Sequence, residues 1–204
     1  MRTLPAPGIG SPAPDAALTD VDGREATLAQ FWRQRPVAVV FLRHLGCTFC
    51  RTHVIGLARR WSEFRDIDVG VVCVAMGEPK IGKAFSILFD LPYPLLMTGQ
   101  SESVYARYGL AKGGWGQLFN RNTLRQGFAA LRQLGMRAHG GLMGDSFQMP
   151  GTFVIDRGGI IRLAHRGRDI ADNPDTDLLL ETLKTCQLEG ECCDESSQLQ
   201  LKTA

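Results

Sequence analysis

The sequence predicts one α/β domain in which helices cover both faces of a central mixed sheet. Two uncharged apolar runs, Val37–Leu42 and Val69–Met76, are rich in β-branched residues, which is typical of strands buried on both faces. Between and after these runs the apolar spacing changes to the helical period, so strands and helices alternate along the first half of the chain. A length of 204 residues is sufficient to bury the core of one such domain.

Charge balance and cysteine content restrict the classes of binding partner and the cellular compartment that can be expected. The chain has 23 basic and 21 acidic residues, so neither a nucleic acid nor a membrane surface is expected as a partner. No run approaches the length of a membrane span, and the N-terminal MRTLPAPGIGSPAP lacks the apolar core of a signal peptide. Six cysteines are too few for a secreted disulfide framework in a chain of this length. A reducing, cytoplasmic location is therefore expected.

The elements before the first buried strand are short. Residues 1–14 contain four prolines and two glycines and predict a loose lead-in. Strands are expected near Ala17–Thr19 and Glu25–Leu28, joined by a turn at 20–23. Leu28–Arg33 then predicts a helical turn, after which the first buried strand begins.

A helix is predicted after the first buried strand, because apolar residues return at the helical spacing. These residues are Val54, Leu57, Ala58 and Trp61. The second buried strand is followed by a helix, a short strand and another short helix, which we place at Ile81–Phe89, Tyr93–Met97 and Ser101–Tyr108.

Residues 109–148 interrupt the alternation with a segment rich in glycine and arginine, in which one amphipathic helix is expected around 124–134. A hairpin follows, with strands at Thr152–Ile155 and Ile160–His165 around a tight turn. A helix at Leu178–Leu183 closes the domain, and no structure is predicted for the polar stretch after it. The chain is thus divided into a lead-in at 1–14, a domain at 15–186 and a C-terminal tail at 187–204.

The reactive part of the chain is a Cys-x-x-Cys motif, Cys47 and Cys50, at the point where the first buried strand gives way to a helix. The first turn of a helix presents unpaired N–H groups and a positive dipole end, and both favour an anion. A thiolate at this position can therefore have a pKa well below the ordinary value of about 8.5. Arg43, His44 and Arg51 lie close enough in sequence to add positive charge. We predict that Cys47, nearest the helix N-terminus, is the nucleophile and that Cys50 is the resolving thiol.

The same motif could instead supply half of a zinc site, completed by Cys186, Cys192 and Cys193. Structural zinc usually takes paired ligands on turns, whereas Cys192 and Cys193 are adjacent and lie in the tail. The strand-to-helix placement of the motif favours a catalytic role, and neither a metal nor a cofactor is expected. Cys73 lies inside the second apolar run, so we predict that it is a small buried residue of the core.

The motif and its surroundings resemble the thioredoxin fold. Met149-Pro150-Gly151, just before the hairpin, is similar to the proline loop that faces the active cysteines in that fold, where the proline is cis. Four longer features resemble peroxiredoxin-like proteins of the alkyl hydroperoxide reductase/thiol-specific antioxidant group: FLRHLGCTFCR, the glycine-rich insertion, PGTFVIDRGGII and His165-Arg166. The resemblance covers roughly residues 11–183 and is most specific at 41–51 and 150–166.

This resemblance implies an antioxidant oxidoreductase that acts in cell redox homeostasis. It would reduce hydrogen peroxide or organic and lipid hydroperoxides through a Cys47–Cys50 dithiol/disulfide cycle. An external dithiol reductant of the thioredoxin or glutathione type would complete the cycle, and a homodimer is left open. The residues nominated to bind substrate or activate the thiolate are Arg43, His44, Gly46, Thr48, Pro150 and Arg166.

The insertion is expected to lie over the Cys47 end of the sheet, because loops at that end build the pockets of α/β folds. Its apolar wall and positive rim would come from Trp115, Leu118, Phe119, Phe128, Arg121 and Arg125. Such a lining would suit an amphipathic peroxide. A solvated helix face or a packing contact is the alternative for the same residues.

Two departures from the family pattern keep other activities open. An ordinary peroxiredoxin has Pro-x-x-x-Thr-x-x-Cys at the nucleophile, and Leu42–Cys47 here contains neither that proline nor that threonine. The arginine expected before the late strand is replaced by Met149–Gly151. Arg43, an arginine from the insertion and the backbone N–H groups of Gly46 and Cys47 are the available donors for a peroxide. The alternatives are a thiol-disulfide oxidoreductase without peroxidase activity, and an inactive zinc- or ligand-binding thioredoxin-like module.

Overall fold

The computed structural model describes residues 5–99, 103–110, 112–114 and 147–202, with side chains described as far as residue 189. The strands of the described residues are β1 (Ala17–Asp20), β2 (Glu25–Thr27), β3 (Val37–Phe41), β4 (Gly70–Ala75), β5 (Leu95–Met97), β6 (Gly151–Ile155) and β7 (Ile161–Arg166). The helices are α1 (Ala29–Trp32), α2 (Thr48–Arg59), α3 (Trp61–Asp66), α4 (Pro79–Phe89), α5 (Ser103–Arg107) and α6 (Thr176–Lys202).

One mixed sheet contains these strands in the order β2-β1-β5-β4-β3-β6-β7. β3 lies between β4, which is parallel to it, and β6, which is antiparallel, so that Val39 is opposite both Val72 and Phe153. All of β3 is buried, because helices cover both faces of the sheet. The prediction of a mixed sheet with helices on both faces is confirmed, and so is the β6–β7 hairpin.

Side chains alternate between two cores along β3, as the period of a strand requires. Val40 faces the first core, which is formed with α2, α3, α4 and α6. Phe41 faces the second core, which is formed with α1 and α5. Cys47 and Cys50 belong to the first core, so the reactive motif is packed between the sheet and α2.

The N-terminal lead-in is docked on the hairpin rather than loose. The Gly10 N–H donates to the carbonyl of Ile161, and the Ala13 N–H donates to the carbonyl of Gly159, each at 2.8 Å. The prediction of a loose lead-in is therefore wrong for this part of it. Prolines cannot donate to a ladder, but the residues between them keep N–H groups that pair at the hairpin.

The C-terminal stretch is helical where no structure was predicted. α6 begins at Thr176 and continues to Lys202, well beyond the expected helix at Leu178–Leu183. This stretch contains no proline and is rich in leucine, glutamate and glutamine, which have high helix propensity. Its polar composition therefore concealed its helical tendency.

The centre of the insertion, at 115–146, lies outside the described residues, and the predicted helix, apolar wall and positive rim lie there with it. Its two described ends meet: the Gly113 N–H donates to the carbonyl of Phe147 at 2.6 Å, and Lys112 forms a bridge with Gln148. Within the part of the chain that the structure describes, no helix is long and apolar enough to cross a membrane.

Candidate active site

The chain turns sharply between β3 and α2 and brings Cys47 to the start of the helix. Cys47 is the N-cap residue, with φ −73° and ψ 119°. Its N–H donates to the carbonyl of His44 at 3.0 Å, and its own carbonyl accepts the N–H of Arg51 at 3.0 Å. The predicted placement at the helix N-terminus is confirmed. The expectation that the Cys47 N–H serves a peroxide is not met, because this N–H is engaged in closing the turn.

The two motif cysteines are reduced, adjacent and buried, with 3% of Cys47 and 1% of Cys50 exposed. The Cys50 thiol donates a hydrogen bond to the Cys47 sulfur, which is the largest influence lowering the pKa of Cys47 to about 6. The positive charge of Arg43 acts in the same direction, and burial opposes both. The pKa of Cys50 is raised well above its ordinary value, because its proton is held in the bond to Cys47 and because it is buried. This asymmetry favours Cys47 as the thiolate and Cys50 as the protonated partner.

Arg43 contacts both sulfur atoms. Its Nη1 donates to Cys47 Sγ at 3.4 Å, and its main-chain N–H donates to Cys50 Sγ at 3.4 Å. Its Nε donates to the carbonyl of Gln148 at 3.0 Å. With only 4% of its surface exposed, this guanidinium interacts with the thiolate across little water, where a charge has a stronger effect.

A second guanidinium, that of Arg51 on α2, interacts electrostatically with Cys47. Arg51 is buried, and its Nε donates to the carbonyl of Leu45 at 2.8 Å. Its guanidinium carbon lies 5.6 Å from the ring centroid of Phe89. Burial lowers the pKa of Arg51, and the charge of Cys47 opposes that shift. The structure thus brings Arg43 and Arg51 together around Cys47, while His44 is buried in the same turn.

Tyr105 supports the end of β3 and was not anticipated from the sequence. It is fully buried, and its hydroxyl lies 2.7 Å from the carbonyl oxygen of Leu42 and 3.2 Å from that of Val74. The Leu42 carbonyl belongs to the same peptide group as the Arg43 N–H that donates to Cys50. A buried tyrosine hydroxyl needs a partner, but the sequence does not indicate which carbonyl provides it.

The proline loop lies at the same end of the sheet as the cysteines, because Gly151 is opposite Phe41 at the end of β3. The Met149–Pro150 peptide is trans, so the prediction of a cis bond is wrong. The trans isomer is the intrinsically preferred form of such a bond, and the loop reaches its place beside β3 without the cis isomer.

The profile of the AhpC/TSA family matches residues 9–164, which include the motif, the proline loop and most of the sheet. The chain belongs to the AhpC/TSA family. The resemblance seen in the sequence is thereby confirmed, and the family supports a thiol-dependent peroxidase or oxidoreductase at this coarse level.

Individual relatives of this AhpC/TSA protein are distant. Peroxiredoxin-like 2C from Mus musculus is 26% identical over 174 residues, which cover 80% of this chain and 75% of that protein. The thiol-disulfide oxidoreductase ResA from Geobacillus thermodenitrificans is 30% identical over 105 residues, covering 50% of this chain and 58% of that protein. The crystal structure of peroxidoxin BcpB from Mycobacterium tuberculosis aligns with a TM-score of 0.65 at 19% identity, covering 88% of this chain and 97% of that one. The structural likeness establishes the peroxiredoxin and thioredoxin-like fold.

Arg166 of this AhpC/TSA protein lies on the face of the sheet opposite the cysteines. Its Nε donates to the carbonyl of Tyr108 at 3.0 Å and its Nη2 to the carbonyl of Pro7 at 2.6 Å. Its guanidinium carbon lies 5.1 Å from the ring centroid of Phe153, in the second core. These contacts fasten the lead-in to the domain, so the structure does not support the nomination of Arg166 as a substrate-binding residue.

Replacing Arg166 by methionine tests this placement. We expect Arg166→Met to lower the free energy of unfolding by about 1–3 kcal/mol, because two charge-assisted hydrogen bonds are lost, and to leave the pKa of Cys47 unchanged. Denaturant unfolding and the pH dependence of Cys47 alkylation provide the two measurements. Arg168→Met is the matched control for both, since Arg168 is highly exposed. A raised pKa of Cys47 in Arg166→Met would show that Arg166 does influence the Cys47 thiolate, contrary to its placement on the opposite face of the sheet.

The remaining nominated residues lie in or near the turn. Gly46 is buried between His44 and Cys47, and Thr48 is the half-buried first residue of α2. His165, which formed part of the family resemblance but was not nominated, contacts Asp172. Its Nε2 lies 3.1 Å from the Asp172 carbonyl oxygen.

The other described cysteines are held as thiols away from the motif. Cys73 is buried as predicted, and burial raises its pKa. Burial also raises the pKa of Cys186, to about 11. Among the described residues no three His, Cys, Asp or Glu side chains are grouped to hold a metal ion, while the side chains of Cys192 and Cys193 lie outside the described part.

Proposed function

We propose that this protein reduces hydrogen peroxide or organic and lipid hydroperoxides through a Cys47–Cys50 dithiol/disulfide cycle. The contact between Arg43 Nη1 and Cys47 Sγ, 3.4 Å long and buried, carries this proposal. It provides a stabilised thiolate and, beside it, a positive charge for the oxygen that leaves. The protonated Cys50 next to it supplies the second thiol.

In the first step, the Cys47 thiolate attacks the terminal oxygen of the peroxide and the O–O bond breaks. Cys47 becomes a sulfenic acid, and the departing alkoxide takes up a proton to leave as an alcohol, or as water from hydrogen peroxide. Negative charge moves from sulfur to that oxygen, and the guanidinium of Arg43 is placed to stabilise it. Arg51 adds a second positive charge nearby.

In the second step, the Cys50 sulfur attacks the sulfenic sulfur, a disulfide forms and water leaves. The raised pKa of Cys50 keeps this thiol protonated until Cys47 has lost its negative charge, when the hydrogen bond that holds the proton is weakened. An external dithiol of the thioredoxin or glutathione type then returns both cysteines to thiols by exchange. We assign this cycle to a reducing compartment such as the cytoplasm.

One experiment decides the substrate class. The reduced protein is mixed separately with hydrogen peroxide, an organic hydroperoxide and a small disulfide, and oxidation at Cys47 is followed by rapid quenching and mass spectrometry. We expect reaction with a peroxide to be at least about 10²-fold faster than that of a free thiol, because the site stabilises the leaving oxygen electrostatically. Peroxide rates equal to those of a free thiol, beside fast reaction with the disulfide, would exclude the peroxidase.

Thiol-disulfide exchange without peroxidase activity is the second candidate. The opposed pKa shifts of Cys47 and Cys50 favour it, because exchange requires an attacking thiolate and a second thiol that closes the disulfide. The 30% sequence identity with ResA over half of this chain is consistent with such an activity. A zinc- or ligand-binding module without chemistry would instead contain bound metal after purification without added zinc, and would show no reactive Cys47.

A further inference from the structure

A residue distant in the sequence holds Arg43 in its contact with Cys47. The Nε of Arg43 donates to the main-chain carbonyl of Gln148 at 3.0 Å, while its Nη1 donates to Cys47 Sγ at 3.4 Å. A guanidinium is planar, so fixing the direction of Nε also fixes the direction of Nη1. The approach of the positive charge to the sulfur therefore depends on where the Gln148 carbonyl lies.

The side chain of Gln148 is buried and hydrogen-bonded close to that carbonyl. Only 1% of Gln148 is exposed. Its Nε2 donates to the carbonyl of Leu110 at 3.2 Å and to the carbonyl of Met149 at 3.3 Å. Leu110 follows α5 and Met149 precedes β6. The amide therefore links the segment that enters the insertion to the segment that leaves it.

Neighbouring bonds make this junction stiff. The Phe147 carbonyl accepts the N–H of Gly113, and Gly151 is opposite Phe41 in the ladder between β6 and β3. The Gln148 backbone is thus held on both sides, and its carbonyl points at Arg43. Removal of the amide would leave the buried carbonyls of Leu110 and Met149 with one donor fewer, which favours a shift of this backbone.

We propose that Gln148 is a positioning residue for Arg43 and that it controls the reactivity of the Cys47 thiolate through Arg43. This role rests on the proposed function in that Cys47 is the reacting thiol, and it is the same for a peroxide or a disulfide substrate. Gln148 touches neither sulfur in the described contacts. Its effect passes through one hydrogen bond to the guanidinium.

The test is Gln148→Met in the full-length reduced protein, because methionine has a similar length and volume but no donor. The pKa of Cys47 is measured from the pH dependence of the thiolate ultraviolet absorbance and of the alkylation rate at Cys47. We expect Gln148→Met to raise this pKa by about half a unit and to lower alkylation at about pH 6 roughly twofold, as partial loss of a nearby opposite charge requires. Gln187→Met, at another buried glutamine on α6, is the matched control and should leave the pKa unchanged.

A double-variant comparison separates positioning from general destabilisation. In an Arg43→Met background the further change Gln148→Met should not alter the pKa of Cys47, because the residue through which Gln148 acts is absent. A pKa shift that persists in this background would overturn the proposal, as would a Gln148→Met protein that is less stable but has the wild-type pKa.

Arg43→Lys provides the answer if Gln148→Met does not fold. Lysine keeps the charge but lacks the rigid fork that binds both the Gln148 carbonyl and Cys47, so we expect the pKa of Cys47 to rise by about half a unit, less than in Arg43→Met, where the charge itself is lost. A wild-type pKa in Arg43→Lys would show that orientation by Gln148 is unnecessary. An ordinary thiol pKa at Cys47 in the wild-type protein would be a different failure, since it would remove the activated thiolate on which the proposed function depends.

Discussion

Replacement of Cys47 by serine should abolish oxidation of the site by peroxides and by small disulfides, a loss of at least about 10³-fold. The physical reason is that a serine hydroxyl has no anionic form at neutral pH, whereas the pKa of Cys47 is lowered to about 6. Replacement of Cys50 by serine should leave the first oxidation in place but prevent disulfide closure. Mass spectrometry after dimedone labelling should then find a sulfenic acid at Cys47, and treatment with a small disulfide should leave a mixed disulfide there.

Cys73→Ala is the control for these two variants, because Cys73 is fully buried in the first core and burial raises its pKa. It should react with a peroxide at the wild-type rate. Dimedone labelling of Cys50 in Cys47→Ser, at a rate comparable to that of the wild-type site, would reverse the assignment of nucleophile and resolving thiol.

The fold was predictable because its strongest signals are local. The run Val37–Leu42 contains no polar residue, which indicates a strand buried on both faces. The turn residues at Asp156–Gly159 lie between two apolar stretches, and this local pattern indicates a hairpin. The helical C-terminal stretch and the docked lead-in were not predicted, because both depend on backbone pairing and propensity in segments whose composition is polar or rich in proline.

The site was predictable only where its residues are neighbours in sequence. One turn and the start of one helix contain Cys47, Cys50, Arg43 and Arg51. Their proximity could therefore be predicted from the transition between the strand and the helix. Gln148 is brought to Arg43 by the antiparallel pairing of β6 with β3, and no spacing rule indicates that a main-chain carbonyl there binds the guanidinium.

The nomination of Arg166 shows what resemblance can miss. His165 and Arg166 are consecutive residues of β7, and consecutive side chains of a strand point to opposite faces of the sheet. Arg166 lies over Phe153 in the second core, whereas the cysteines lie in the first. A pair of adjacent residues on a strand therefore cannot enter one pocket together.

Replacement of Arg43 by methionine should raise the pKa of Cys47 by about one unit, because the nearest positive charge is lost. Cys47 is an acid whose pKa is lowered in the folded protein, so the thiolate is fully formed above this pKa and is lost as the pH falls through about 6. In the variant this loss should begin at a higher pH, so that alkylation slows about twofold at about pH 7 and about fivefold at about pH 6. At about pH 9 the thiolate is formed in both proteins, and the alkylation rates should converge.

The peroxide reaction of Arg43→Met should behave differently from alkylation as the pH is raised. Arg43 is expected to stabilise the departing oxygen as well as the attacking sulfur, and loss of one such electrostatic contact costs about 10²-fold in rate. This second contribution does not depend on ionisation of Cys47, so the peroxide rate of the variant should stay depressed at about pH 9, where alkylation has recovered. Arg162→Met, at an arginine paired with Asp156 away from the cysteines, should match the wild-type protein in both reactions. If the peroxide rate of Arg43→Met recovered together with alkylation, Arg43 would act only by ionising Cys47, and the leaving oxygen would need another donor.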